Sequence, residues 1–165
     1  MKKTGTIKFN SGFVDITDPC YDNDMYWCRL RKELPVGEYK YEANIDDCGD
    51  WGKRVTSIRI QRKDWKGHHT TKLIGHIDVD AGLAGFFDNK PDYNRISPEH
   101  DEWVDDVCTD FLFKQDGQVY EAHCDNAMRC EGVFAESGYG DGEYPVYEIR
   151  SDYTGVIVGY KIKFI

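Results

Sequence analysis

Alternating apolar and polar side chains predict that most of this chain forms β-strands. In segment 39–45, tyrosine, alanine and isoleucine occupy every second position, and polar side chains occupy the positions between them. This alternation is typical of a strand with one buried face and one face in water. Similar runs bounded by turn residues predict about nine strands. They are 6–9, 13–16, 39–45, 55–60, 73–79, 119–122, 132–135, 144–149 and 156–165.

One segment has the three- and four-residue spacing of an amphipathic helix instead. Ser97 is a favourable N-cap, Pro98 suits the first helical position, and acidic residues follow in the first turn. Apolar side chains then form one stripe, which we expect to pack on a sheet. They are Trp103, Val104, Val107, Cys108, Phe111 and Leu112.

These elements predict an α+β fold that is mainly antiparallel β, a sandwich or roll with one amphipathic helix packed on the sheet. The connections between the predicted strands are short and rich in turn residues, which favours antiparallel pairing. The chain has 165 residues and contains neither a linker-like stretch nor an internal repeat. We therefore expect residues 1–165 to form a single globular domain.

The balance of charge narrows the classes of partner. Lys and Arg number 21 against 30 Asp and Glu, which gives a formal charge of −9. A surface this acidic repels phosphate backbones, so general nucleic-acid binding and attachment to anionic membranes are disfavoured. Segment 53–72 differs, because it contains many basic residues and only one acidic residue, Asp64. This segment is interpreted either as a solvated hairpin or as a local basic surface.

The cysteines and the apolar runs indicate a cytoplasmic protein. The six cysteines include no C-x-x-C pair, and no apolar run reaches the roughly 18–20 residues that a membrane-spanning helix needs. The basic N-terminus is not followed by the apolar region of a secretory signal. His123, Cys124 and Cys130 form only an incomplete zinc set, so no cofactor is predicted from them.

Three stretches carry residues that plain strands and turns do not require. In the first, 15–24, Asp18 precedes a proline and is therefore held extended at the end of a strand. In the second, 78–88, Asp78 and Asp80 point to the same face of a strand, and small residues follow them. The third, 137–146, has three glycines in five residues, whose N–H groups can meet an anion, although the P-loop pattern is missing. Each stretch is also explained by a capped or glycine-rich turn.

The same stretches resemble, in the same order, the motifs of the bacterial and phage domain-of-unknown-function family numbered 4241. The resemblance spans nearly the whole chain, although the family often ends in Asp-Phe and this chain does not. It implies no activity. It does imply that certain aspartates are shared features, either as caps of glycine-rich turns or as parts of a site. They are Asp18 of Asp18-Pro19, Asp80 of Val79-Asp80-Ala81-Gly82, Asp88 of Phe87-Asp88, and Asp141 within Ser137 to Pro145.

Binding of a small polar or nucleotide-like ligand is the function that we favour over catalysis. Aromatic side chains can stack on a base, and an arginine together with backbone N–H groups can hold phosphate. The resemblance adds the hypothesis that a phage protein of this kind sequesters a nucleotide signal as a counter-defence. The predicted ligand-binding residues are Asp18, Tyr21, Trp51, Arg54, Asp80, Asp88, Ser137, Gly138, Tyr139 and Asp141.

Two other functions remain open from the sequence. In a metal-assisted hydrolase, Mg²⁺ or Ca²⁺ would be held by carboxylate oxygens, with Asp78, Asp80 and Asp88 as candidate ligands. The chain has no G-x-S-x-G or H-x-x-x-H motif, which argues against this hypothesis. The acidic charge and the aromatic residues also fit an inhibitor or another domain that binds a protein partner.

Overall fold

Eleven β-strands account for most of the part of the chain that the computed structural model describes, which is residues 1–21, 26–88, 117–124 and 130–165. Short 3-10 turns lie at Tyr26–Cys28 and Gly49–Trp51. None of the described segments is a helix long and apolar enough to cross a membrane. The strands are β1 (Lys2–Phe9), β2 (Phe13–Thr17), β3 (Leu30–Glu33), β4 (Gly37–Asp47), β5 (Lys53–Arg62), β6 (His69–Val79), β7 (Leu83–Asp88), β8 (Val119–Ala122), β9 (Gly132–Glu136), β10 (Gly142–Ser151) and β11 (Ile157–Lys163).

The strands form two antiparallel sheets. The six-stranded sheet has the order β1-β4-β5-β11-β10-β6, and the five-stranded sheet has the order β3-β2-β7-β9-β8. Every strand pairing in both sheets is antiparallel among the described residues. The prediction of a mainly antiparallel β fold is therefore confirmed. The predicted helix, which begins at Ser97, lies outside the described residues.

One hydrophobic core lies between the two sheets, which therefore form a sandwich. Its buried side chains come from both sheets, including Tyr39 and Ile60 of the six-stranded sheet and Ile16 and Phe86 of the five-stranded sheet. These residues alternate with outward-facing polar residues along most strands, as in 37–47, where buried and more exposed positions alternate. Burial of this apolar surface is the main driving force for folding.

Two strands were absent from the prediction, each for a physical reason. In β7, Phe86 faces the core and Phe87 faces the opposite side of the sheet, yet both are fully buried. Phe87 packs against Phe134 with ring centroids 5.8 Å apart. A strand buried on both faces shows no alternation, so its glycine-containing run reads as a loop. The other missed strand, β3, lies at a sheet edge, and three of its four residues are charged.

The outer face of the five-stranded sheet also holds a buried carboxylate, that of Asp15 in β2. Arg31, directly opposite on β3, donates to it from Nε at 2.7 Å and from Nη2 at 2.8 Å. A two-pronged bond of this kind compensates the cost of burying a charge. It also attaches the edge strand to its neighbour by a side-chain contact, in addition to the backbone pairing.

A tyrosine connects the two sheets at the β1 and β8 edges of the sandwich. Tyr41 of β4 lies directly opposite Gly5 of β1, and its ring occupies the space above that glycine. Its hydroxyl donates to Oε1 of Glu121 in β8 at 2.6 Å, and burial followed by this carboxylate raises the pKa of Tyr41. Only a residue without a side chain leaves room for the ring at position 5.

The Gly5→Ala substitution is expected to destabilise the protein, because the new methyl group would overlap the Tyr41 ring. Overpacking of this kind costs about 1–3 kcal/mol of unfolding free energy. Urea unfolding followed by circular dichroism measures the effect. Thr6→Ala, an exposed neighbour on the same strand, is the matched control and should change the unfolding free energy by less than about 0.5 kcal/mol. Equal stability of Gly5→Ala and wild type would show that the ring has other space available.

Candidate functional site

The three stretches singled out in the sequence meet at one end of the sandwich. The β6–β7 turn, residues 80–82, lies between the end of β2 and the β9–β10 loop. On one side its backbone N–H groups bind the Asp18 side chain. On the other side the carbonyl of Gly82 accepts the N–H of Ser137 at 2.9 Å. The chain thus brings together segments separated by more than a hundred residues.

Asp18 is fully buried and acts as the support of this turn. Its Oδ2 accepts the N–H groups of Asp80 at 3.0 Å and Ala81 at 2.7 Å, and its Oδ1 accepts the N–H of Cys20 at 2.8 Å. Hydrogen bonds to a charged acceptor are stronger than neutral ones. The proline after Asp18 disfavours helical backbone there and helps to hold the carboxylate at the end of β2.

The β9–β10 loop is held by its own side chains. Ser137 is buried, and its hydroxyl donates to the carbonyl of Gly140 at 2.7 Å. The Tyr144 hydroxyl donates to the carbonyls of Ser137 at 2.9 Å and Gly140 at 2.6 Å. Gly138 has a φ of +54°, and a side chain there would press against the C-terminal residues. Ser137 and Gly138 therefore shape the loop.

An open groove of about 470 Å³ lies between this loop and the β6–β7 turn. Backbone of both glycine-containing segments forms part of its wall, and side chains from β5, β8 and β9 form the rest. The residues that line it are Arg54, Ala81, Gly82, Leu83, Tyr120, Glu136, Ser137, Gly138, Tyr139 and Gly140. Polar side chains and backbone groups make up much of this lining, together with aromatic rings, which suits a small polar molecule.

Two aromatic rings stand at the mouth of the groove. Tyr139 is 54% exposed and Trp51 is 61% exposed, and their ring centroids lie 5.4 Å apart at a tilt of 57°. Trp51 is presented by the β4–β5 turn, where Gly52 adopts a φ of +68° and Cys48 donates its N–H to the Gly52 carbonyl at 2.9 Å. Burial and a hydrogen bond with the Cys48 thiol raise the pKa of Tyr139.

Arg54 supplies the positive charge of the groove. Its Nε donates to the carbonyl of Trp51 at 2.9 Å, which fixes the side chain beside the aromatic pair. Within the described ranges, its two terminal nitrogens have no hydrogen-bond or salt-bridge partner. A guanidinium with unoccupied donors next to open space is suited to an anionic group.

The same groove also contains a carboxylate, that of Glu136. Oε2 of Glu136 accepts a hydrogen bond from Nε2 of Gln118 at 3.0 Å, and Oε1 lies 3.5 Å from the Tyr120 hydroxyl. Burial, and then the charge of Glu136, raise the pKa of Tyr120 to about 12. The groove therefore offers both a donor of positive charge and an acceptor of hydrogen bonds. Sequence reasoning missed Glu136 and Tyr120, because each follows the ordinary pattern of a strand.

The remaining predicted site residues lie outside the groove. Asp88, at the far end of β7, accepts the N–H groups of Asn10 at 2.9 Å and Ser11 at 3.0 Å and thus caps the β1–β2 turn. Asp141 is exposed, and it has no hydrogen-bond partner among the described residues. Asp80 takes part through its backbone N–H, while its side chain is exposed.

The corner behind the β6–β7 turn contains Tyr21 and Asp78. Burial, Cys28 and the nearby aspartates raise the pKa of Tyr21. Burial and a hydrogen bond from its thiol to Asp78 raise the pKa of Cys28. The assignment of Asp78, Asp80 and Asp88 as ligands of one metal ion stays a prediction. In the described part of the chain, no group of three His, Cys, Asp or Glu side chains is arranged to hold a metal ion.

A second charged network lies at the β8–β9 edge of the five-stranded sheet. His123 lies between two carboxylates, with Nδ1 2.9 Å from Glu131 and Nε2 3.2 Å from Glu121. Glu131 also accepts the N–H of Cys124 at 3.2 Å. Burial lowers the pKa of His123, but the hydrogen bonds to Glu131 and Glu121 outweigh it and raise the pKa above its usual value. The sequence pointed only to His123 and the cysteines here, since strand patterns do not show which carboxylates will be neighbours.

Replacing Asp18 is expected to destabilise the fold, because the Asp18→Ala variant leaves the N–H groups of Asp80 and Ala81 without their acceptor. The expected loss of unfolding free energy is at least about 2 kcal/mol. Thermal and urea unfolding measure it. Asp141→Ala removes an equally charged but exposed side chain and should stay within about 0.5 kcal/mol of wild type. Equal effects of the two substitutions would contradict the capping role of Asp18.

The ion pairs of His123 are expected to make stability depend on pH. Because the pKa of His123 is raised on folding, its stabilisation is complete below the unfolded value of about 6.5 and disappears as the pH rises through the folded value. NMR titration of the imidazole should therefore show a midpoint above about 6.5. In Glu131→Gln the midpoint should fall. An unchanged midpoint in that variant would show that Glu131 does not stabilise the imidazolium.

The comparisons with known proteins show the family of this chain. The model of a family described as protein of unknown function (DUF4241) matches residues 7–159, which is most of the chain. The search of curated proteins found no match. The search of solved structures found none either. The matched range includes Asp18, the β6–β7 turn and the β9–β10 loop, and on this basis the chain belongs to the DUF4241 family.

Proposed function

We propose that this protein binds a small polar ligand that carries a negative charge and a flat ring, such as a nucleotide, in the groove beside Arg54 and Tyr139. The observation that carries the proposal is the meeting of Trp51, Arg54 and Tyr139 beside a glycine-rich wall around about 470 Å³ of open space. Trp51 comes from the β4–β5 turn and Arg54 from the start of β5, whereas Tyr139 comes from the distant β9–β10 loop. No part of the sheet pairing requires their side chains to be there.

The two aromatic rings support a stacking role. Burying a Trp or Tyr ring in the core contributes to folding, but more than half of the surface of both rings is exposed to solvent. Exposed rings gain little for the fold, whereas stacking of a base on one ring contributes about 1–3 kcal/mol to binding. The two rings lie 5.4 Å apart at the same place, so both are within reach of one flat ligand.

Arg54 and Glu136 give the groove its selectivity for a ligand with both charge and donors. The terminal nitrogens of Arg54 can hold phosphate or carboxylate oxygens with two parallel hydrogen bonds. Glu136 can accept hydrogen bonds from the amino or ring N–H groups of a base or from a sugar hydroxyl. A ligand with only one of these features would satisfy only half of the groove.

A metal-assisted hydrolase receives less support from the same geometry. Asp18 and Asp88 use their oxygens as acceptors for turn N–H groups, at separate ends of the sheet. Carboxylates engaged in this way stabilise turns and are not free to converge on one ion. Binding without catalysis is therefore the function that the groove favours.

The binding proposal predicts that Arg54→Gln weakens ligand affinity by about 10- to 100-fold, since it removes charged hydrogen bonds to the ligand. Native mass spectrometry of the gently purified protein identifies any co-purified ligand class. Isothermal titration calorimetry with adenosine and guanosine mono- and diphosphates then gives the affinity. Trp51→Ala should also weaken binding, through the loss of stacking.

Lys53→Gln is the matched control, because it removes the same charge from the adjacent position of the same strand. Circular dichroism melts verify that all variants remain folded. Loss of affinity in Arg54→Gln with normal affinity in Lys53→Gln supports the groove. Equal affinity in all variants would place the ligand elsewhere, and a fully ligand-free protein that binds none of these nucleotides would reject the nucleotide proposal.

A further inference from the structure

The outer face of the six-stranded sheet is basic over the four strands β1, β4, β5 and β11, although the whole chain carries a net charge of −9. The strands β1, β4, β5 and β11 lie side by side, and their outward positions hold more cations than carboxylates. The cations are Lys2, Lys8, Lys40, Arg59, Lys161 and Lys163. The carboxylates are Glu38, Glu42 and Asp46. The acidic excess of the chain therefore lies elsewhere.

Two cations on this face stand directly opposite each other. Arg59 of β5 is the register partner of Lys161 of β11. Like charges at opposite positions of neighbouring strands are destabilising. Among the described side chains Lys161 forms no salt bridge, and burial, Arg59 and Lys163 all lower its pKa. The fold thus tolerates a repulsion that a bound anion would relieve.

A hollow of about 200 Å³ lies beside this pair. Its lining includes Lys40 and Arg59, with Trp65 as an aromatic wall. Glu42 is shared, because its Oε1 accepts Lys2 Nζ at 3.1 Å and lies 3.2 Å from Arg59 Nη2. One carboxylate shared between two cations leaves part of their charge uncompensated.

The other charges at the hollow are already paired. Arg62 donates to Asp64 through two bonds of 3.1 and 2.9 Å, and Lys63 pairs with Glu38 at 3.1 Å. In the part of the chain that is described, Lys40 has no salt-bridge partner. The remaining positive charge is therefore carried by Lys40 and Arg59, which line the hollow, and by Lys161, the cross-strand neighbour of Arg59 outside the lining.

We infer that this hollow is a second ligand site, which binds the phosphate chain of a small multivalent anion such as a di- or triphosphate. Lys40 and Arg59 line the hollow from β4 and β5, and Lys161 lies next to Arg59 on β11 just outside the lining. These three adjacent strands are about 4.8 Å apart, so the positive charge extends over about 10 Å. A chain of linked phosphates carries several charges over a comparable length, whereas a single carboxylate would neutralise one cation only. Arginine binds phosphate oxygens as a fork and lysine binds them as a point charge.

This site is distinct from the groove beside Arg54. Five residues of strand separate Arg54 from Arg59, which corresponds to about 17 Å at the rise of an extended chain. The two sites share no lining residue. Failure of one proposal therefore leaves the other intact.

Isothermal titration calorimetry with inorganic triphosphate and pyrophosphate tests the inference. Lys40→Gln and Arg59→Gln are expected to weaken triphosphate binding about tenfold or more, and added salt should weaken it in wild type. Glu42→Gln should tighten binding about three- to tenfold, because it removes the carboxylate that competes with the anion. A tightening of this kind would not follow from a purely structural role of the cations.

Lys72→Gln is the matched control, since it removes one positive charge from β6 at the opposite edge of the same sheet. It should leave triphosphate affinity unchanged, and Arg54→Gln should do the same. Equal losses in Lys72→Gln and Arg59→Gln would overturn the site in favour of a general charge effect. Binding of a single-stranded oligonucleotide or of polyglutamate without triphosphate binding would overturn it in favour of a polymeric partner. If Arg59→Gln does not fold, Lys40→Gln and Glu42→Gln still decide the outcome.

Discussion

The buried carboxylate of Asp18 is the contact on which the arrangement of the candidate site depends. It accepts three backbone N–H groups, two of them from the turn that joins β6 of one sheet to β7 of the other. A turn between sheets has no ladder partner for these groups, and an unpaired buried N–H is costly. Because Asp18 holds the turn, the carbonyl of Gly82 is positioned to accept a hydrogen bond from the N–H of Ser137. The hydrogen bonds from Asp18 to the β6–β7 turn, and from that turn to Ser137, thus position the wall of the groove.

Asp88 performs the corresponding task at the other end of the same strand pair. β2 and β7 are antiparallel neighbours. Asp18, just after β2, caps the turn that precedes β7, and Asp88, at the end of β7, caps the turn that precedes β2. The two carboxylates therefore fix both ends of the central strands of the five-stranded sheet. This reciprocal capping explains why aspartates at these positions characterise the chain without any need for a metal or a catalytic step. The proposed ligand chemistry therefore rests on Arg54, Glu136 and the exposed aromatic rings.

The two proposed ligand sites share a physical logic, since both combine charge that the fold does not neutralise with open space. In the groove, the terminal nitrogens of Arg54 meet no acceptor within the described structure. On the sheet face, Arg59 and Lys161 oppose each other across a ladder. Charge of this kind beside open space is typical of sites that are completed by a ligand.

The sequence by itself determined the antiparallel β fold, because alternation with period two is a local property that burial of one face imposes on each strand. It also singled out Asp18, because a proline follows it, and Trp51, Arg54 and Tyr139, because aromatic and arginine side chains near glycine-rich segments can bind a nucleotide. Only the tertiary structure decided what these residues do. Asp18 and Ala81 are 63 positions apart, and Asn10 and Asp88 are 78 positions apart. Partners at such separations depend on the order of strands in the sheets, which no local pattern encodes. The sequence did not predict β7, because burial on both faces removes the alternation of apolar and polar residues.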